Sequence, residues 1–245
     1  MAAKGSDFQV RKDLILEIVV DRYVKTIMPV SSAYIAEQCR LDLSPATIRN
    51  ILAELEEQGY LMHPHTSAGR MPTQRGYRYY VDHLIDEIQL LNDEKQLIEM
   101  EYQRQVLELE GLLEKTSEFI SNLTHYTSII SIDGLDHKLI YKGASNIVAY
   151  PDGSNIDKIR DILLALEEKE SILEIINRSL GKKIEIYIGQ ELECSEINDC
   201  SMVISSYRSD KGLSGRLAVL GPTRMDYKRV ISALDYFSEL MSKII

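Results

Sequence analysis

Between Leu43 and Tyr80 the chain gathers short hydrogen-bonding side chains and arginines in a pattern suited to nucleic acid. Ala46, Thr47, Arg49 and Asn50 share one side of a stretch whose other side is Ile48, Ile51, Leu52 and Leu55. Arginine and asparagine can form paired hydrogen bonds with purine edges. Small neighbours such as alanine and threonine let a backbone come close enough for that. Further on, Arg70, Arg75 and Arg78 stand among residues 58–80, which also hold His63 and His65 and no acid. Cations in such a run can neutralise phosphates. His65, Thr66, Ser67, Gly69 and Arg70 fall in a turn-rich segment, and a basic turn of this kind can track a phosphate or enter a minor groove.

These groups need elements to hold them. Ser44 is suited to cap a helix, with Pro45 at its first position, where a missing N–H costs nothing. The apolar spacing i, i+3, i+4, i+7 predicts a buried stripe, and Gly59 is placed as the stop. Upstream, Phe8 to Lys25 is predicted as a helix with Val10, Leu14, Ile18 and Val19 in its core stripe and Leu16, Val20 and Tyr23 beside it. A short helix, Ala33 to Cys39, follows, capped by Ser31 or Ser32. Two short helices joined by a tight turn after a longer one give a helix-turn-helix. Tyr60 to Met62, a turn from His63 to Gly69, and Arg70 to Pro72 give a two-stranded wing. Thr73 caps a helix from Gln74.

Charge distribution fits this reading. The chain of 245 residues has a net charge of −10, yet residues 1–80 carry 10 Lys/Arg against 9 Asp/Glu and the remainder 18 against 29. The acidic body keeps a locally basic face away from other polyanions. With 44% hydrophobic and 27% charged residues the composition is that of a soluble protein, and no apolar run reaches membrane-spanning length. The first residues lack the apolar core of a signal peptide. The three cysteines, Cys39, Cys194 and Cys200, form no close CxxC pair, which predicts reduced thiols and a cytoplasmic setting.

A heptad-like series runs from Leu84 to Leu123, broken at Asn92-Asp93 and interrupted at Lys95 and Gln105. It suits an oligomer contact and intrachain packing equally well. From Tyr126 the pattern changes to strands at 128–132, 138–141, 184–188, 202–206 and 217–220. Helices are predicted at 156–166, 171–180 and 225–244, and Lys211-Gly212 with Ser214-Gly215 marks the last hairpin. This predicts an antiparallel sheet with helices on one side.

Catalysis finds no motif: GxSxG, P-loop, HExxH and GxGxxG are all missing. No cofactor or metal is expected. His63-Pro64-His65 has only His83 near it in sequence, so wing structure outweighs metal. Arg49 could also pair with a glutamate, Tyr77, Tyr79 and Tyr80 suit packing better than base stacking, and Thr223 to Asp226 suits a turn with Asp226 at a helix N-terminus.

The sequence resembles HrcA, the family of heat-inducible transcription repressors of bacteria. The matching runs are SPATIRN (44–50), Leu55-Glu56-Glu57 with Gly59-Tyr60-Leu61, PHTSAGR (64–70), Pro72-Thr73, GYRYYVD (76–82), LTHYTS (123–128) and GPTRMDY (221–227). The resemblance implies a winged-helix N-terminal domain and a GAF-like C-terminal domain. It also implies a homodimer repressing chaperone genes from a CIRCE-type inverted repeat, modulated by the chaperonin GroEL. The family carries an inserted dimerising domain. Here Ile132 reaches IYKGASN (140–146) through Asp133 to Leu139 alone, so that interface does not carry over whole.

The expectations are an α+β protein with a winged helix-turn-helix at 1–80, a helical linker and possible dimer contact at 81–125, and a truncated GAF-like domain at 126–245. It is expected to be no enzyme. Its DNA-contacting set is Ser44, Ala46, Thr47, Arg49, Asn50, His65, Thr66, Ser67, Gly69, Arg70, Arg75 and Arg78. The partners are double-stranded DNA, a second copy and GroEL, without a membrane. The alternative is a winged-helix regulator controlled by a small effector on the GAF-like domain.

Overall fold

The computed structural model describes residues 2–38, 43–64, 69–85, 92–103, 109–134, 139–149, 156–178, 182–210 and 212–245. The chain divides into two compact units, Met1–Asp86 and Glu87–Ile245.

The first unit runs α1 (Ala2–Thr26), α2 (Ser32–Gln38), α3 (Pro45–Glu57), β1 (Leu61–Met62), β2 (Met71–Pro72) and α4 (Gln74–His83). Ile48, Ile51, Leu52 and Leu55 are buried, as their spacing requires, against Ile15, Leu16, Val19 and Val20 of α1 and Ile35 of α2. Val10 and Leu14, expected in the α1 stripe, are exposed. The true stripe runs Lys12, Ile15, Leu16, Val19, Val20, and a buried lysine within it disguises its phase. β1 and β2 pair antiparallel, Leu61 opposite Pro72 and Met62 opposite Met71. This is the winged helix-turn-helix; residues 39–42, which include most of the turn expected from the sequence, lie outside the described residues.

The second unit runs α5 (Asn92–Gln103), α6 (Leu109–Thr124), β3 (Thr127–Ile132), β4 (Leu139–Lys142), α7 (Ile156–Glu168), α8 (Glu170–Ile176), β5 (Ile184–Ile188), β6 (Cys200–Arg208), β7 (Ser214–Pro222) and α9 (Tyr227–Ile244), with short 3-10 turns at Ala144–Ala149, Gly189–Leu192 and Ser195–Ile197. The strands form one antiparallel sheet in the order β4-β3-β7-β6-β5. Segment 81–125 is shared out: α4 closes the first unit, and α5 and α6 belong to the second, where α6 lies on β3 and β4. Arg229 ties α5 to α9 through Glu94 (3.0 Å) and satisfies the Leu123 carbonyl near the end of α6 (2.7 Å).

Helices cover both faces of the sheet, which corrects the one-sided arrangement expected from the sequence. Ile129, Met202, Ile204, Ala218 and Leu220 form one core with Ile162, Leu166, Ile172 and Ile176 of α7 and α8. On the other face the Ser117 hydroxyl donates to the Ser128 carbonyl at 3.2 Å, and the hydroxyls of Ser201 and Tyr227 share a hydrogen bond at 2.8 Å. Ser128, Ser201 and Ser205 are buried there among Ile130, Val203, Leu217 and Val219, under α6 and α9. Their polarity made this face look solvated. The result is a GAF-like α+β unit.

Candidate nucleic-acid interface

Helix α3 is built so that its N-terminal half faces outward. The Ser44 hydroxyl accepts the Thr47 N–H at 3.1 Å and shares a hydrogen bond with the Thr47 hydroxyl at 2.9 Å, so the cap uses both side chains. Pro45 occupies the first turn. Ala46, Arg49 and Asn50 are exposed. Among the described residues neither Arg49 nor Asn50 has a hydrogen-bond or ion-pair partner, which leaves their donors and acceptors available to a ligand.

The C-terminal half carries the acids, and the fold neutralises two of them internally. Glu54 pairs with Lys12 of α1 at 2.6 Å. Glu56 pairs with Arg70 at 2.8 Å and with His63 Nδ1 at 2.6 Å, and Arg70 Nη1 also meets His63 Nε2. Gly59, at φ +75°, ends the helix in a backbone conformation that glycine adopts without a Cβ clash. Thr73 then fastens the chain after the wing. Its hydroxyl donates to the carbonyls of Gly59 (2.6 Å) and Tyr60 (3.2 Å) and accepts the Gly76 N–H (3.0 Å) as the cap of α4.

The wing is held from below. Val30 and Arg70 exchange backbone hydrogen bonds of 2.8 and 2.9 Å. A Cβ on Gly69 would sit 2.3 Å from the Val30 carbonyl, so only glycine permits that approach. Arg75 is exposed, lies over the Tyr60 ring at 5.0 Å and takes no ion-pair partner among the described residues. Arg78 pairs with Asp82 at 3.3 Å. The tyrosines of α4 pack: Tyr77 and Tyr80 are buried, Tyr80 donates to Asp21 (2.6 Å) and Tyr79 donates to Asp13 (2.9 Å). Burial, then the Asp13 hydrogen bond, pushes the Tyr79 hydroxyl above its ordinary value, so it stays a donor.

The structure thus brings Ser44, Ala46, Thr47, Arg49 and Asn50 together on one helix, with Gly69, Arg70, Arg75 and Arg78 on the wing and the helix after it. His65, Thr66 and Ser67 lie outside the described residues. Sequence reasoning missed that Glu56, His63 and Arg70 form one cluster. Only the distribution of acids along α3 hinted at a use for Glu56. In the second unit Cys194 and Cys200 are buried thiols, and burial pushes Cys200 up to about 12.

Comparison with known proteins fits this geometry. The family described as HrcA protein C terminal domain matches residues 131–231. The heat-inducible transcription repressor HrcA of Carboxydothermus hydrogenoformans is 30% identical over 96% of this chain and 97% of its own length. That of Clostridioides difficile is 29% identical over 95% and 98%. The first alignment is 333 residues long against a chain of 245, so the relative holds interior residues with no counterpart here. A crystal structure titled as that of a hypothetical protein shares the fold at 17% identity, with a TM-score of 0.72 over 95% of this chain and 96% of that one. Among the described residues no helix is long and apolar enough to cross a membrane. With a relative of that identity matched along nearly its whole length, and the family's C-terminal profile found in the second unit, the chain belongs to the HrcA family of heat-inducible transcription repressors.

Proposed function

We propose that this chain is a sequence-specific DNA-binding repressor of chaperone genes that acts as a dimer on a CIRCE-type inverted repeat. The observation that carries the reading is that Arg49 and Asn50 in the N-terminal half of α3 are exposed and unpaired among the described residues, beside a wing, with the acids Glu54 and Glu56 already neutralised from within. α3 enters the major groove, and Ala46, Thr47, Arg49 and Asn50 reach base edges. The α3 N-terminus, where Ser44 stands, and Arg75 and Arg78 meet the backbone phosphates. His65, Thr66, Ser67 and Gly69 supply the wing's own approach to the duplex. A two-fold dimer sets half-sites one helical turn apart or a multiple, roughly 34–36 Å per turn.

The family relationship supports the dimer, the operator type and modulation by GroEL. Gel shifts on promoter fragments from upstream of the chaperonin genes of the source genome test the function. Retardation of the inverted repeat, and not of its scrambled version, is expected. Equal binding to both sinks the sequence-specific reading. Light scattering of the protein with and without the duplex tests the dimer, and a monomer in both states sinks it.

A further inference from the structure

The cluster of Glu56, His63 and Arg70 has a closed geometry. Glu56 Oε1 accepts His63 Nδ1–H at 2.6 Å, which leaves His63 Nε2 as an acceptor for Arg70 Nη1, and Arg70 Nη2 returns to Glu56 Oε2 at 2.8 Å. Each residue touches the other two. Glu56 belongs to the last turn of α3, His63 directly follows β1 and Arg70 directly precedes β2. The cluster therefore joins the groove-facing helix to both arms of the wing.

The Val30–Arg70 backbone bonds seat the wing on the α1–α2 loop, and the cluster adds a side-chain tie to α3. Its ladder is two residue pairs long, too short to be rigid by itself. Arg70 is poorly placed for a phosphate: its side chain is 17% exposed, and its Nε is buried without a partner among the described residues. Both terminal nitrogens are engaged, and its backbone is tied to Val30. Arg49 and Arg75 are exposed and unpaired among the described residues, which is what a phosphate or base ligand needs.

We propose that Glu56 is a positioning residue of the DNA-binding surface: by holding Arg70 and His63 it fixes the wing relative to α3, and Arg70 serves through the wing instead of on a phosphate. The role in binding rests on the repressor reading above, while the clamp itself does not. The assignment inverts the usual sign of a carboxylate near DNA, since removing this negative charge should weaken binding.

The test uses the full chain in two measurements. In the DNA-free protein, amide hydrogen exchange is followed at Val30, Met62 and Arg70 for wild type, Glu56→Gln and Arg70→Lys. Both variants should lose protection at these amides while α1 keeps its own. Binding is then measured against salt on the promoter duplex and on a scrambled duplex. Glu56→Gln and Arg70→Lys should each weaken promoter binding by about tenfold. The double variant should be no worse than either single one, because both break the same unit. The salt slope should hold, since no phosphate contact is lost.

Arg70→Lys keeps the charge and cannot span Glu56 and His63 together, so wild-type binding by Arg70→Lys overturns the proposal. Tighter binding by Glu56→Gln, or a slope lowered by about one in Arg70→Ala, overturns it also and makes Arg70 a phosphate ligand. Unchanged exchange in both variants removes the clamp. If the wild type binds no duplex, the repressor reading fails alone, and exchange still decides the clamp.

Discussion

Lys12 Nζ lies 2.6 Å from Glu54 Oε2, joining the long first helix to the groove-facing helix through a lysine whose side chain is only 9% exposed. Lys12 also lies over the Phe8 ring at 4.9 Å. A carboxylate near DNA repels it at short range. A carboxylate paired this closely is nearly neutral beyond a Debye length of about 10 Å. The pairing also explains why a lysine can sit in the α1 core stripe: its stem is buried on the same face as Ile15, Leu16 and Val19 while its head meets Glu54. Glu54→Gln should strand that charge and lower the stability of the first unit by about 1–2 kcal/mol, discounted because Glu54 is 40% exposed. Lys12→Met, which removes the charge and keeps the volume, should cost less. Urea unfolding of the two variants checks the order. A larger loss in Lys12→Met would show that the pair is a net stabiliser and that the cost of stranding Lys12 is minor.

The groove-reading assignment makes Arg49 and Asn50 differ from Arg75 in kind. Arg49→Ala or Asn50→Ala should cost about 1–3 kcal/mol on the promoter duplex and much less on a scrambled one, because a lost base contact is lost only where the right base stands. Arg75→Ala should weaken both alike and flatten the salt slope by about one, the mark of a single phosphate contact. Anisotropy titrations at several salt concentrations measure all of this. Equal losses on both duplexes for all three variants would end the base-reading assignment.

What could be read in the sequence was local. Ser44 accepting the Thr47 N–H, Thr73 accepting the Gly76 N–H and Asp226 accepting the Arg229 N–H at 3.1 Å are caps, decided within four residues. The α3 stripe and the Gly59 stop are local as well, and so the groove-facing helix could be placed from the sequence alone. Long-range relationships were hidden. Glu56 meets Arg70 only once the wing folds back, and neither residue carries a mark of the other. The phase of α1 was misread because Lys12 occupies a core position. The second covered face of the sheet was missed because Ser128, Ser201 and Ser205 interrupt its apolar positions, and a buried serine looks solvated until the helix above it is known. The break between α7 and α8 was legible, since the sequence places it within 167–170 and it falls at Lys169; only the left-handed φ of 62° there was not.

Gly69 gives a second test of the wing's seat. The Cβ of Gly69→Ala would come within 2.3 Å of the Val30 backbone and 2.7 Å of the Ser31 nitrogen, and backbone cannot swing aside as a side chain can. The wing must then lift from the α1–α2 loop, with the loss of the Val30–Arg70 hydrogen bonds. A destabilisation of about 1–3 kcal/mol is expected, the range for overpacking a tight contact. Thermal melting checks the magnitude, and exchange at the Val30 amide checks the place. A wild-type melting curve with Val30 still protected would mean that the loop shifts at no cost and that the glycine is not required.

The two described cysteines should be inert in the folded chain. Cys200 is 3% exposed, and burial raises its thiol to about 12; Cys194 is also raised, first by burial and then by its hydrogen bond to Glu196, which lies at 3.2 Å. The thiolate is the reactive form, so a raised value means a smaller reactive fraction at every pH below it. A Cys39→Ser variant isolates these two thiols. With an alkylating reagent at pH 8 they should label far more slowly than in urea, and the folded-state rate should climb about tenfold per pH unit, because the thiolate fraction does so well below the pKa. Rapid labelling at pH 8 in the native protein, with a rate that levels off near that pH, would make one of them an exposed low-pKa thiol and reopen a redox role.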